Sequence, residues 1–181
     1  MPRKKCVEKT SNNPNAENAV WVANENGNQL YYPGVQTCVT VTLVFENGLL
    51  GGHASQAPPV ENADLQPKEN LKEVIAAMGI AANGKATGVL KRIYYFGFIG
   101  GIAWDLGYAT ETIEAKFGKP SDSTPIKTLD FSGVDIVFDI TDKDVYWLGT
   151  NLIDRSNSED VQVNQIKGDG REYGAHEKYS G

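Results

Sequence analysis

Cys38 and His53 stand fifteen residues apart, on either side of what reads as a single β-hairpin. They are the only thiol and imidazole in the body of the chain, because Cys6 and His176 fall in polar end segments. A thiol beside an imidazole is a nucleophile–base pair. The imidazole takes the thiol proton, the sulfur attacks a carbonyl carbon, and the imidazolium returns the proton to the leaving amine. Gly34 ahead of Cys38 and Gly51–Gly52 ahead of His53 are small enough for a substrate backbone to come close. A bend before Cys38 would aim backbone N–H groups at an oxyanion. The competing reading is a protein-binding domain in which Cys38 is an inert core thiol, since free cysteine is among the most buried residue types. Partial exposure and an imidazole within about 4 Å would mark the enzyme; an apolar-packed sulfur would mark the binding domain.

The pair depends on the hairpin. Residues 39–45, Val-Thr-Val-Thr-Leu-Val-Phe, are β-branched and alternate valine with threonine, the pattern of a half-buried strand. Asn47–Gly48 is the favoured dipeptide of a tight type I′ turn. Residues 49–54 return as the partner strand. Counting outward from the turn brings Cys38 within about two residues of His53, close enough for side-chain contact across the strands. Ser55, close behind His53, is set aside as a nucleophile because neighbouring strand residues point to opposite faces.

The remaining elements follow from periodicity. Val20–Val22 and Leu30–Tyr32 are strand-like and flank a turn signal at residues 24–27; Pro33–Gly34 breaks the chain after them. Pro67 suits the first turn of a helix, Leu71, Val74, Ile75 and Met78 form its buried stripe, and Gly79 reads as its stop. Residues 88–99 are a strand candidate. A second helix is expected over about 103–117, with Leu106, Ala109, Ile113 and Phe117 on one face and Gly118 at its end. Residues 126–131 read as a short strand, and 134–140 with 145–148 as a second hairpin. The expected class is α+β, a mostly antiparallel β-sheet or sandwich flanked by two main helices. The expected division is a flexible segment 1–18, one catalytic domain 19–150, and a polar flexible tail 151–181.

The stretch Gly34-Val35-Gln36-Thr37-Cys38-Val39-Thr40-Val41 resembles the Gly-x-x-Ser-Cys-Val-x-Val element of CheD, the chemoreceptor glutamine deamidase family. Gly51-Gly52-His53 is similar to the Gly-Gly-x-x-His element that follows there. The catalytic domain of cytotoxic necrotizing factor and the Burkholderia lethal factor share the same Cys/His plan. The order of later helices and strands is also CheD-like, so the resemblance covers about residues 30–148. Thr37 stands for the family's Ser, and His53 follows the glycines more closely than in CheD. Its spacing from Cys38 is close to that of the necrotizing-factor branch. Tyr32 occupies the place of the Thr that orients the family's His. The resemblance implies hydrolysis of a glutamine side-chain amide on a protein substrate. Cys38 would be the nucleophile, His53 the acid–base, and Tyr32 or a backbone carbonyl the third member.

Other classes are excluded or disfavoured. A net charge of −6 and a pI near 4.9 argue against nucleic acid as a partner. No apolar run reaches the roughly 20 residues of a membrane-spanning helix, and no apolar stretch follows the basic N-terminal residues as in a cleavable signal peptide. Two free thiols suit a reducing compartment. The expected location is therefore the cytoplasm, or a host cell reached without a cleavable signal. Residues 96–101 before a helix lack the G-x-G-x-x-G pattern and the Walker Lys, and read as a tight turn that would border the site. Residues 139–144 do not match a calcium loop. One His and no paired Cys make no zinc site on their own, so neither a metal nor a cofactor is expected. Trp104 and Trp147 read as core.

Overall fold

Val39–Phe45, the strand that follows Cys38 and pairs with the strand bearing His53, is the middle strand of its sheet. The computed structural model describes residues 3–10, 13–24, 29–56, 66–100, 104–130, 133–140, 145–149 and 177–178. In chain order the elements are β1 (Arg3–Lys5), β2 (Ala19–Ala23), β3 (Gln29–Val35), β4 (Val39–Phe45), β5 (Gly48–Ala54), α1 (Gln66–Ala81), β6 (Leu90–Gly97), α2 (Leu106–Phe117), β7 (Ile126–Asp130), β8 (Val134–Asp139), β9 (Val145–Gly149) and β10 (Glu177–Lys178). Among the described residues the strands form two five-stranded sheets, β1-β3-β8-β9-β10 and β2-β5-β4-β6-β7. Each is mostly antiparallel with one parallel pairing, β1 with β3 and β6 with β7. The fold is thus α+β, a mostly antiparallel two-sheet arrangement with two helices.

Alternation along β4 divides the core. Val39, Val41, Leu43 and Phe45 face the helices and pack with Leu71, Val74, Ile75 and Met78 of α1 and Ala109 and Ile113 of α2. On the other face Val44, with Leu49, Tyr94 and Phe96, meets Leu30, Tyr32, Ile136 and Phe138 of the second sheet. The order of layers is sheet, sheet, helices, and β4 is buried on both faces rather than half-buried. Its threonines tolerate burial because each hydroxyl has a partner. Thr40 Oγ1 donates to the Phe96 carbonyl at 2.9 Å, and Thr42 Oγ1 lies 2.6 Å from the Tyr32 hydroxyl.

The helices follow their stripes, with one difference. Gly79 does not end α1; the helix continues to Ala81, and Gly84, at φ 69°, supplies the left-handed residue beyond it. A Cβ at Gly79 would meet only the flexible end of the Lys116 side chain of α2, which can swing aside. α2 starts at Leu106, where Asp105 caps it by accepting from the Tyr108 N–H at 3.0 Å. Trp104 is largely buried and donates from Nε1 to the Phe98 carbonyl at 2.9 Å. Trp147 falls on β9, whose side chains lie outside the described residues, as do residues 141–144 and 151–176.

The chain crosses between sheets after β2, which joins β5, whereas β3 joins β8. Two further expectations change. Pro33–Gly34 does not break β3 but falls at a register irregularity between Tyr32 and Val35. There Gly34, at φ 62°, donates its N–H to Oδ1 of buried Asp135 at 2.5 Å, and the Tyr31 hydroxyl donates to Oδ2 at 2.9 Å. Nor is the segment before residue 19 detached. β1 lies beside β3, Cys6 is fully buried, and its N–H donates to the Tyr31 carbonyl at 2.9 Å.

Candidate active site at the end of the central hairpin

The β4–β5 register pairs Thr40 with His53 and Val39 with Ala54. Cys38, one residue before β4, therefore sits diagonally from His53, on the face turned toward the other sheet. The two-residue offset counted from the turn is the one found.

His53 is 1 % exposed. Its backbone N–H donates to the Asn18 carbonyl at 2.9 Å, and its Nδ1 lies 3.0 Å from the Cys6 carbonyl. A carbonyl only accepts, so the neutral ring carries its proton on Nδ1 and leaves Nε2 as a bare acceptor. Burial lowers the His53 pKa, opposed by the Cys6 hydrogen bond and the Glu8 charge; the imidazole is neutral at pH 7. Nε2 is buried and has no hydrogen-bond partner among the described residues.

Cys38 is 3 % exposed, but polar groups surround the sulfur. The thiol donates to Glu8 Oε2, and that oxygen is 3.9 Å from His53 Nε2. One ligating atom from each of Glu8, Cys38 and His53 lies within 4.8 Å of the others. The Gln56 N–H and the Ser55 hydroxyl bond the sulfur from the side of β5. Burial, the Glu8 charge and the hydrogen bond to Glu8 push the Cys38 thiol up to about 12, against the pull of those two donors. Ser55 corrects the sequence reading: it follows His53 by two positions, and alternate strand residues share a face. Its hydroxyl is a partner of the sulfur.

Tyr32 is buried, and its ring stands edge-on to the imidazole, with centroids 5.9 Å apart at 79°. Its hydroxyl donates to the Val41 carbonyl at 3.0 Å and accepts from Thr42. It ties β3 to β4 and walls the ring, while the Cys6 carbonyl takes the orienting hydrogen bond. Gly51 and Gly52 leave no space for a substrate: a Cβ at Gly51 would meet Leu30 and the Tyr32 hydroxyl, and one at Gly52 would meet Met78 and Val74. The turn after β6 does border the site. Gly97, at φ 144°, passes so close that a Cβ would stand 2.2 Å from the Cys38 carbonyl oxygen, which also accepts from the Phe98 N–H at 3.0 Å.

Glu8 escapes the sequence reading because nothing periodic marks its segment. The one local signal is the apolar pair Cys6–Val7 within a polar stretch. A pocket of about 290 Å³ opens beside the site, lined among others by Lys9, Asn18, His53, Ser55, Asn70 and Glu73.

The buried thiol gives stability a pH dependence. Its folded pKa of about 12 exceeds the ordinary 9.0, so above pH ~9 the unfolded chain loses a proton that the folded chain keeps. Stability contributed by the protonated thiol is complete below that pH and declines as pH rises toward 12. Thermal unfolding from pH 7 to 10.5 should show this decline, with a shallower slope in Cys38→Ser.

No protein-family model and no curated protein matches this chain.

Proposed function

We propose that this protein is a cysteine-dependent hydrolase that deamidates a glutamine side chain of a protein substrate. The observation that carries the reading is the imidazole: Nδ1 is occupied by the Cys6 carbonyl, and bare Nε2 is left at the Cys38–Glu8 contact. A general base needs that tautomer and that orientation.

In this reading Nε2 takes the Sγ proton as sulfur attacks the carboxamide carbon. The Gln56 N–H and the Ser55 hydroxyl, which bond the sulfur, are the donors that would serve the developing oxyanion. The imidazolium gives its proton to the departing nitrogen, ammonia leaves, and a thioester remains. Water deprotonated by Nε2 then cleaves the thioester, which releases glutamate and restores the thiol. Glu8 stands where the carboxamide would dock, so turnover requires its side chain to swing out. It is the one member of the cluster with substantial exposure, 31 %.

The 3 % exposure of Cys38 favours the alternative, an inert thiol in a binding domain. A probe that needs no known substrate separates the two: a short glutamine analogue whose amide is replaced by an electrophilic ketone. The expected result is a covalent adduct on Cys38 that is lost in His53→Ala. Ammonia release from a panel of glutamine-bearing proteins should then depend on both residues. An unmodified Cys38, or an adduct indifferent to His53→Ala, would overturn the enzyme reading.

A further inference from the structure

We propose that Glu8, Cys38 and His53 form a binding site for a zinc-class divalent cation, with three protein ligands and a fourth position for water. The inference uses the same side chains as the proposed enzyme but does not rest on that reading.

Thiolate, imidazole and carboxylate are the three groups from which zinc sites are built. With metal–ligand bonds of roughly 2.0–2.3 Å, tetrahedral ligand atoms stand roughly 3.3–3.7 Å apart. Here the three donors already lie within 4.8 Å of one another, and His53 Nε2 is 3.9 Å from Glu8 Oε2. Glu8 Oε2 is close to both partners, so bonding geometry calls for a side-chain adjustment that brings Cys38 Sγ and His53 Nε2 closer together, with Glu8 moving to follow.

The second observation is the orphaned nitrogen. Among the described residues His53 Nε2 is buried with no hydrogen-bond partner, and a buried polar atom left unsatisfied is destabilising. It carries a lone pair and no proton, so its natural partner is a cation or a donor. Nδ1–H held by a backbone carbonyl is also the outer-shell arrangement that fixes metal-ligating histidines. Charge agrees: a divalent cation with one thiolate, one carboxylate and a neutral imidazole sums to zero, which suits a site with two buried members. Binding replaces the S–H bond with a metal–sulfur bond, and the thiol proton goes to the buffer. The metal-bound sulfur is then unavailable as a nucleophile, so occupancy would silence Cys38.

The test uses the full chain, stripped with a chelator and titrated with Co²⁺, then with Zn²⁺ in competition. One equivalent of Co²⁺ should give a thiolate-to-cobalt charge-transfer band with tetrahedral visible bands, release about one proton near pH 7, and be displaced by Zn²⁺. Cys38→Ser should abolish the charge-transfer band, whereas Cys6→Ser should keep it. Glu8→Gln, at a part-exposed position and nearly isosteric, should weaken binding by more than the roughly 10–100-fold that outer-shell changes cost. No band in the wild type, or a band that survives Cys38→Ser, overturns the site. Ketone labelling of the stripped protein reads the enzyme proposal separately, so failure of either one leaves the other standing.

Discussion

Glu8→Ala is expected to raise the rate at which iodoacetamide alkylates Cys38 in chelator-treated protein near neutral pH by about a hundredfold or more. Three effects hold the thiol near 12: burial first, then the Glu8 charge, then the hydrogen bond donated to Glu8. The substitution removes the last two and leaves the Gln56 and Ser55 donors, which favour the thiolate. Each unit by which the pKa falls raises the thiolate fraction about tenfold at a pH well below it. Alanine also clears the approach to the sulfur. Glu8→Gln keeps most of the bulk and removes the charge, so its acceleration should be smaller and should divide charge from access. His53→Ala on the Glu8→Ala background should slow labelling again if Nε2 assists deprotonation. Mass spectrometry of the Cys38 peptide reads the rate. Fully buried Cys6, pushed above its ordinary pKa chiefly by burial, should stay unlabelled throughout. Equal labelling of wild type and Glu8→Ala would mean that the carboxylate does not control the thiol.

What the sequence displays about this site is what local pattern can display. The valine–threonine alternation and Asn47–Gly48 define one hairpin, and its register sets Cys38 two positions from the partner of His53. The stripe Leu71, Val74, Ile75, Met78 defines the face of α1. Pattern fails where tertiary partners override it. Thr40 and Thr42 look solvent-facing because their polarity alternates, yet hydroxyl partners from β6 and β3 make burial tolerable. Gly51 and Gly52 look like substrate clearance, but which side chains fill the space above a glycine is decided by elements far away in sequence. The larger omission is residues 6–10. A polar segment with no period carries no sign that its backbone will orient an imidazole or that its carboxylate will meet a thiol. The resemblance to CheD leaves the third member of the site open between Tyr32 and a backbone carbonyl. Tyr32 Oη is engaged by β4, and the Cys6 carbonyl lies at the imidazole.

Phe138→Ala is expected to destabilise the protein by about 3–5 kcal/mol, the usual cost of emptying a buried aromatic site. Phe138 is fully buried where the two sheets face each other. Its ring lies 5.2 Å from Tyr94, 6.0 Å from Phe96 and 6.1 Å from Tyr32, centroid to centroid. Tyr94 and Phe96 belong to β6 and Tyr32 to β3, so one side chain closes both sheets over β4. A domain of this size has about 5–15 kcal/mol in total, so the variant should unfold at a much lower urea concentration with an unchanged m-value. Phe138→Leu retains most of the volume and should lose clearly less. The effect should also reach the site. Tyr32 is walled by Phe138 on one side and stands edge-on to His53 on the other; with the wall gone, its ring can tilt and release the imidazole. Under conditions where Phe138→Ala is still folded, adduct formation at Cys38 should therefore slow more than in Phe138→Leu, while far-ultraviolet circular dichroism stays that of the wild type. A loss below about 1 kcal/mol would mean that the sheets are not closed by this cluster, and that His53 is held by the Cys6 carbonyl alone.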